Sequence, residues 1–439
     1  MHDWFDELAS FLRIPSVSAD PAHRADVRRA GEWVCALRRE AGGEASIVEV
    51  DGQPLAVGEL RASDGAAEAP TVLCYGHFDV QPPDPLELWE SAPFEPEIRG
   101  EYLYARGVAD DKGQLYLLLA AARELARAGE LPVNVRFVCD GEEETGGQSI
   151  LTYLDGDSRG ADAAVIFDSG MIARDLPGFN VATRGMLYFH LVLRSGERDL
   201  HSGAYGGAAL NAIHALGDVL AAVRAVDGRL PGPLREGIAA PTERELAGWR
   251  ALPEGAGELA LAGARAMDPA AAEEFYVRTF AEPALDVNGI AGGSPTLEKT
   301  VLPVLAEANV SVRLAPGQDV ETIAAAFARL VRAATPAGAE LEVRRMSSAR
   351  PGVVDPDSRA VQLGLDAFER ALGVRPLLTR SGGTLPIVST LSDLGIATII
   401  TGFSLPDANI HSPNERLLVG YVDRGIAAAR ALLEEFAAL

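Results

Sequence analysis

The chain reads as an α/β protein in which a discontinuous domain, carrying a mixed sheet flanked by helices, is interrupted by a second, smaller α/β domain. Three observations lead there. Short apolar runs at Thr71–Tyr75, Val133–Cys139 and Ala163–Phe167 have the length and residue types of buried strands, and each stops at a cluster of His, Asp or Glu. After about residue 180 the texture changes to longer alternating strands and Ala-rich helices. From Pro351 onward the helix–strand–helix pattern of the first part returns. With 439 residues and 48% hydrophobic content, the chain can fill two cores. The domains are expected at 1–180 with 351–439, and at 181–350.

Taken in order, Phe5–Arg13 and Arg24–Glu40 carry apolar residues at helical spacing, and Gly42-Gly43 stops the second. Thr71-Val72-Leu73-Cys74-Tyr75 is a buried strand whose end delivers His77 and Asp79. Lys112–Ala128, rich in Leu and Ala and closed by Gly129, is a buried helix starting just after Asp110-Asp111. The strand at Val133–Cys139 leads into Glu142-Glu143-Glu144, and the strand at Ala163–Phe167 into Asp168. In open α/β sheets ligands gather at the carboxyl ends of the strands, so one crevice is expected to collect these groups. In the second domain, Leu187–Leu193 and Glu307–Leu314 alternate as strands, Ala208–Val226 forms a long helix, and Ala239–Pro283 holds surface helices. Helix Ala360–Leu372, a strand near Ile396–Thr401 and helix Tyr421–Leu439 complete the first domain.

Composition excludes several roles. A formal charge of −24 opposes nucleic acid, whose binding depends on Lys and Arg displacing condensed counterions. No apolar run approaches the roughly 20 residues of a membrane span, and the acidic N-terminus is unlike a signal peptide. Cys35, Cys74 and Cys139 form no C-x-x-C pair and read as buried thiols, which suits a reducing, cytoplasmic setting.

The chemistry rests on five dispersed clusters: Gly76-His77-Phe78-Asp79, Ala109-Asp110-Asp111-Lys112-Gly113, Gly141-Glu142-Glu143-Glu144-Thr145-Gly146, Ile166-Phe167-Asp168-Ser169-Gly170 and Asn409-Ile410-His411-Ser412-Pro413-Asn414-Glu415. Mixed imidazole and carboxylate donors suit zinc or manganese. Two such ions about 3.5–4 Å apart can activate water and polarise a carbonyl, so a metallohydrolase is indicated. A charge run such as Glu142-Glu143-Glu144 is usually a solvated face, but a buried strand before it and Thr-Gly after it favour function. Gly156-Asp157-Ser158-Arg159-Gly160 has the letters of a nucleophile elbow yet precedes a strand, whereas an elbow needs strand, turn, then helix. Neither a Walker A motif nor H-E-x-x-H is present, and His77-Phe78-Asp79 occupies the place where a nucleotide-binding sheet would carry its glycine fingerprint.

In order and context these clusters resemble the M20 metallopeptidases, the group of carnosine-type dipeptidases, carboxypeptidase G-like enzymes and aminoacylases. The stretches Asp199-Leu200-His201-Ser202-Gly203-Ala204-Tyr205-Gly206-Gly207 and Lys299-Thr300-Val301-Leu302-Pro303 look most like the cytosolic non-specific and carnosine dipeptidase branch. The resemblance implies a dinuclear zinc-peptidase-like catalytic domain and a lid/dimerisation domain. It implies two divalent ions per subunit, zinc or manganese, bridged by Asp110, with His77 and Asp168 on one and Glu144 and His411 on the other. Asp79 would hold the far ring nitrogen of His77, Glu143 would carry the proton from water to the leaving amine, and the Asp110–Asp111 peptide would be cis. His201 would act across a homodimer in the neighbouring active site. Arg313 would grip the substrate carboxylate, with Thr300, Ser381, Gly382, Gly383 and Thr384 lining the substrate cleft. Ser381 departs from the glutamate expected before the Gly-Gly pair.

Two substrate classes therefore stand open: dipeptides or short peptides, and N-acyl or N-carbamoyl amino acids. A binding protein that lost turnover is the rival from another class, and the intact Glu143, His201 and ligand set argue against it. Of the remaining histidines, His190 and His214 are expected to pack within apolar patterns, and His2 and His23 to lie at the surface.

Overall fold

A computed structural model describes residues 3–439; the expectation for His2 falls outside them. The chain divides into two compact units, one comprising Met1–Val181, Val354–Thr379 and Ile387–Leu439, the other Ala182–Val353 and Arg380–Pro386.

Six strands form the first unit's sheet, in the order Glu44–Val48, Leu55–Leu60, Asn134–Asp140, Thr71–His77, Ala163–Phe167, Ala397–Thr401. The last four run parallel and the first two are antiparallel additions. Parallel strands covered on both faces read as continuous apolar runs. Asn134–Asp140 and Ala163–Phe167 are accordingly buried at every position. The expected helices recur at Phe5–Leu12, Arg24–Glu40, Lys112–Ala128, Arg359–Leu372 and Val419–Glu435. In Lys112–Ala128 twelve residues are buried, and Gly129 ends it in a left-handed conformation that costs a glycine little. Gly113 is needed for another reason: a Cβ there would lie 1.9 Å from the Val108 carbonyl oxygen. Cys35, Cys74 and Cys139 are all free and buried, and burial pushes the Cys139 thiol up to about 11.

The second unit is a four-stranded antiparallel sheet, ordered Ala284–Gly292, Leu305–Leu314, Gly185–Arg194, Glu340–Ala349. Strict alternation of burial along its two central strands puts Leu187, Phe189, Leu191 and Leu193 with Ala306, Val310 and Val312 on one face. Helices Ala212–Ala221 and Val320–Ala333 cover that face, and Phe189 stacks on Phe327 at 4.2 Å between ring centroids.

Several expectations change. The helix expected over Ala208–Val226 spans only Ala212–Ala221, because Asn211 is extended and its side chain accepts the amides of Ile213 and His214, fixing the start there. His214 is exposed, since that helix buries Ala212, Ala215, Leu216 and Val219 on the opposite face. His190 lies half-buried on the sheet face away from the helices, its Nδ1 2.8 Å from Asn309 Oδ1. His23 is half-buried and pairs with Asp26 at 2.8 Å.

Residues 380–386 group with the second unit, although sequence continuity suggested the first. Arg380 explains this: its guanidinium forms a bidentate pair with Glu245 at 2.7 and 3.1 Å, and both side chains are almost fully buried.

Candidate metal centre

Strand Thr71–His77 runs straight into the site. His77 is fully buried, with its main-chain amide donating to Asp111 Oδ2 at 3.0 Å. Ring Nδ1 faces Asp79, at 3.1 Å from the carbonyl oxygen and 3.3 Å from Oδ1. Nε2 is thereby aimed at Asp110 Oδ1, 3.0 Å away, with Asp168 Oδ1 at 3.9 Å.

The other oxygen of Asp110 faces a different imidazole. Oδ2 lies 2.8 Å from His411 Nε2, which lies 3.1 Å from Glu144 Oε2. One carboxylate thus stands between two nitrogen donors, each with a second carboxylate beside it. Donor atoms of His77, Asp110 and Glu144 all fall within 4.8 Å of one another. His411 is about half exposed, unlike His77. It has φ +61°, an uncommon backbone for a non-glycine residue, and Asn414 nearby pins its loop to Glu90 N and Leu88 O. The Asp110–Asp111 peptide is cis.

Several residues that the sequence left without a role hold this arrangement. Glu415, fully buried, accepts from the Arg106 guanidinium at 2.6 Å and from the amides of Gly107, Ala109 and Asp110 at 3.0, 2.8 and 3.1 Å. It therefore fixes the turn that presents Asp110. Asp79 has a second task beyond His77, because its two oxygens accept the amides of Glu143 and Glu144, each at 3.2 Å. Glu142 accepts from Gln53 N and Ser149 N, which ties the same turn to neighbouring loops. Gln81 donates to Glu144 Oε2 at 2.9 Å, while Glu144 Oε1 is buried without a partner.

The electrostatics call for cations. Burial pushes Asp168 up to about 7, His77 opposing and the carboxylates of Asp110 and Glu144 adding to it. Burial likewise holds the Glu143 carboxyl well above its usual range, opposed by His77 and reinforced by Asp168, Glu144 and Asp110. Hydrogen bonds to Asp110 and Glu144 raise His411 to about 10. Burial lowers His77, but hydrogen bonds to Asp110 and Asp79 outweigh it and leave the imidazole favouring its proton. Divalent ions would replace those protons, and the mixed nitrogen and oxygen donors with the spare Glu144 oxygen fit them.

The remaining predicted residues lie in the second unit. His201 is exposed on a two-residue strand paired with Val301–Leu302, and the Thr300 carbonyl accepts from the Ser202 amide and hydroxyl at 3.0 and 2.8 Å. Arg313 donates to Thr384 Oγ1 at 2.8 Å, and Ser381 Oγ accepts the Gly383 amide at 3.1 Å. Beside them is Arg184, which the sequence did not single out; its Nε donates to Gly382 O at 3.0 Å. Ser158 sits in the loop after helix Gln148–Asp155, where Asp157 is tied to Arg136 and Arg159, so the elbow-like letters carry no elbow.

The chain is similar to known proteins over nearly its whole length. Two curated relatives are the Cys-Gly metallodipeptidase of Saccharomyces cerevisiae, 26% identical over 99% of this chain and 95% of its own length, and the cysteinylglycine-S-conjugate dipeptidase of Corynebacterium striatum, 29% identical over 94% and 90%. Among solved structures, an M20 family metallo-carboxypeptidase from Sulfolobus solfataricus shares the fold with a TM-score of 0.87 at 24% identity, covering all of both chains. Residues 73–435 match Peptidase family M20/M25/M40, and the chain belongs to that family.

Proposed function

We infer that this chain is a metal-dependent dipeptidase. The observation that carries the reading is Asp110, whose two oxygens face His77 and His411 separately, each imidazole having a further carboxylate at hand. Asp110 would bridge two divalent ions, zinc or manganese, with His77 and Asp168 on one and Glu144 and His411 on the other. When bound, such ions polarise the scissile carbonyl and make water acidic enough to attack at neutral pH. Asp79 keeps His77 Nδ1 engaged so that Nε2 points inward. Glu143, whose amide is anchored on Asp79, takes the proton from the attacking water and delivers it to the leaving amine. Arg313 receives the substrate carboxylate, with Thr300, Ser381, Gly382, Gly383 and Thr384 around the substrate. His201 acts on the developing oxyanion of the neighbouring copy in a homodimer. The three buried thiols support residence in the cytoplasm.

Both curated relatives named above are dipeptidases, which favours the peptide bond over N-acyl or N-carbamoyl amino acids. The test is hydrolysis of a panel of dipeptides and N-acyl amino acids by metal-stripped protein, reconstituted with zinc or manganese, alongside Glu143→Ala. Dipeptide cleavage that returns with metal and is lost in the variant is expected. Cleavage confined to blocked amino acids would overturn the reading.

A further inference from the structure

Arg184 immediately precedes strand Gly185–Arg194, and Arg313 lies on the neighbouring strand Leu305–Leu314, near enough for the two charges to act on one another. Arg313 pairs in register with Met186, two residues beyond Arg184, and neither Met186 nor Arg313 points to the helix-covered side. Both side chains are half-buried. Burial lowers Arg184 to about 10, with the like charge of Arg313 adding to the effect. Two guanidiniums so placed would ordinarily share an acid. Here neither forms an ion pair among the described residues, and residues 381–384 alongside are Ser, Gly, Gly and Thr. The acid that acts on Arg184 electrostatically, Asp286, is exposed and unpaired with either arginine.

The hydrogen bonds leave each guanidinium one fork open. Arg184 is held through its amide, which donates to Gly383 O at 3.0 Å, and through Nε to Gly382 O. Its two terminal nitrogens remain as an end-on fork. Arg313 gives one terminal nitrogen to Thr384 Oγ1, so Nε and the other terminal nitrogen remain as a side-on fork. Each fork matches one carboxylate in bidentate geometry. A single α-carboxylate would occupy one fork and leave the other positive charge half-buried without a partner.

We propose that Arg184 and Arg313 together form a two-carboxylate subsite, and that the substrates are dipeptides whose carboxyl-side residue is aspartate or glutamate. This rests on the dipeptidase reading, in which Arg313 receives the terminal carboxylate; Arg184 then receives the side-chain carboxylate and sets specificity.

Calorimetry on the metal-loaded full chain compares L-glutamate with L-glutamine, which differ in the one group that Arg184 would read. L-glutamate is expected to bind about tenfold or more tightly, in line with a charge-assisted hydrogen-bonded pair. Arg184→Gln should erase that preference and Arg184→Lys should restore part of it. Equal affinities in the unmodified protein, or a preference that survives Arg184→Gln, would overturn the proposal. The same preparations are assayed on Ala-Glu and Ala-Gln, where a higher kcat/KM for Ala-Glu is expected and equal values count against the subsite. If neither peptide is cleaved, the wider dipeptide panel decides the dipeptidase reading, while calorimetry still decides the subsite by the same criterion.

Discussion

Asp110 is gripped from behind as well as in front. Glu415 takes its amide and those of Gly107 and Ala109, and Arg106 neutralises Glu415. Removing that buried carboxylate leaves Arg106 charged and uncompensated, so Glu415→Ala should lose about 3–5 kcal/mol of unfolding free energy in urea titration. Glu143 is different, because its ties to the fold are made by its main chain, the amide to Asp79 and the carbonyl to the Gly146 amide, and not by its carboxylate. Glu143→Gln should lower kcat by roughly 10²–10⁴ while elemental analysis still finds the metal content of the unmodified protein. A fall in metal content would make Glu143 a ligand instead of a proton carrier. Most candidate donors were legible in sequence because they sit at element ends: His77 closes a strand, Asp168 follows one and Asp110 comes just before helix Lys112–Ala128, whereas His411 lies in a turn and was marked by its neighbouring letters alone. Glu415 was visible only as the last letter of the His411 stretch, since its partners lie 305–309 residues away. Arg184 was hidden too, because nothing in a single sequence marks a strand-leading arginine as lacking an acid.

At the scale of elements, the parallel strands explain why a reading by hydrophobic runs worked in the first unit. Strands buried on both faces give unbroken apolar segments, and their ends coincide with the reactive groups. The fourth parallel strand, Ala397–Thr401, was recognisable as a strand, but its place beside Ala163–Phe167 is a matter of tertiary pairing. The helix at Ala212 was overextended because alanine-rich sequence has high helix propensity on either side of the Asn211 cap. Residues 380–386 were assigned by continuity, whereas the Arg380–Glu245 pair decides their allegiance. Burial raises Glu245, but hydrogen bonds from Arg380 and the Thr242 amide outweigh it, so the carboxyl titrates below its ordinary value. A depressed carboxylate stabilises the fold above its unfolded pKa, near 4.3, and loses that contribution as pH falls through the lower folded value. Glu245→Gln should therefore destabilise the second unit by about 3–5 kcal/mol at pH 7. The gap from the unmodified protein should narrow below about pH 4 in denaturant titrations. A gap that is unchanged by acid would show that packing rather than charge is at stake.

For the whole molecule, two compact units with separate cores make stability a matter of two transitions. Ions at 100 times their dissociation constant add about 2.7 kcal/mol to the unit that binds them. Chelation should lower one calorimetric transition and leave the other in place; a uniform shift of both would mean that the units unfold together. The proposed homodimer has its own test. Glu143→Ala and His201→Ala, each inactive alone, should regain activity when their subunits are mixed and exchanged, because one composite site then holds both groups. No recovery would confine His201 to its own chain.

The donors facing one another around Asp110 begin at His77 and end at His411, with the second unit's residues threaded between them. During synthesis the ribosome releases the first imidazole hundreds of residues before the second. A nascent chain can thus present half a cation site early, but the pair waits for His411. On the proposed ligand set, any polypeptide halted before that histidine would carry the early carboxylates and no means of closing them around two ions.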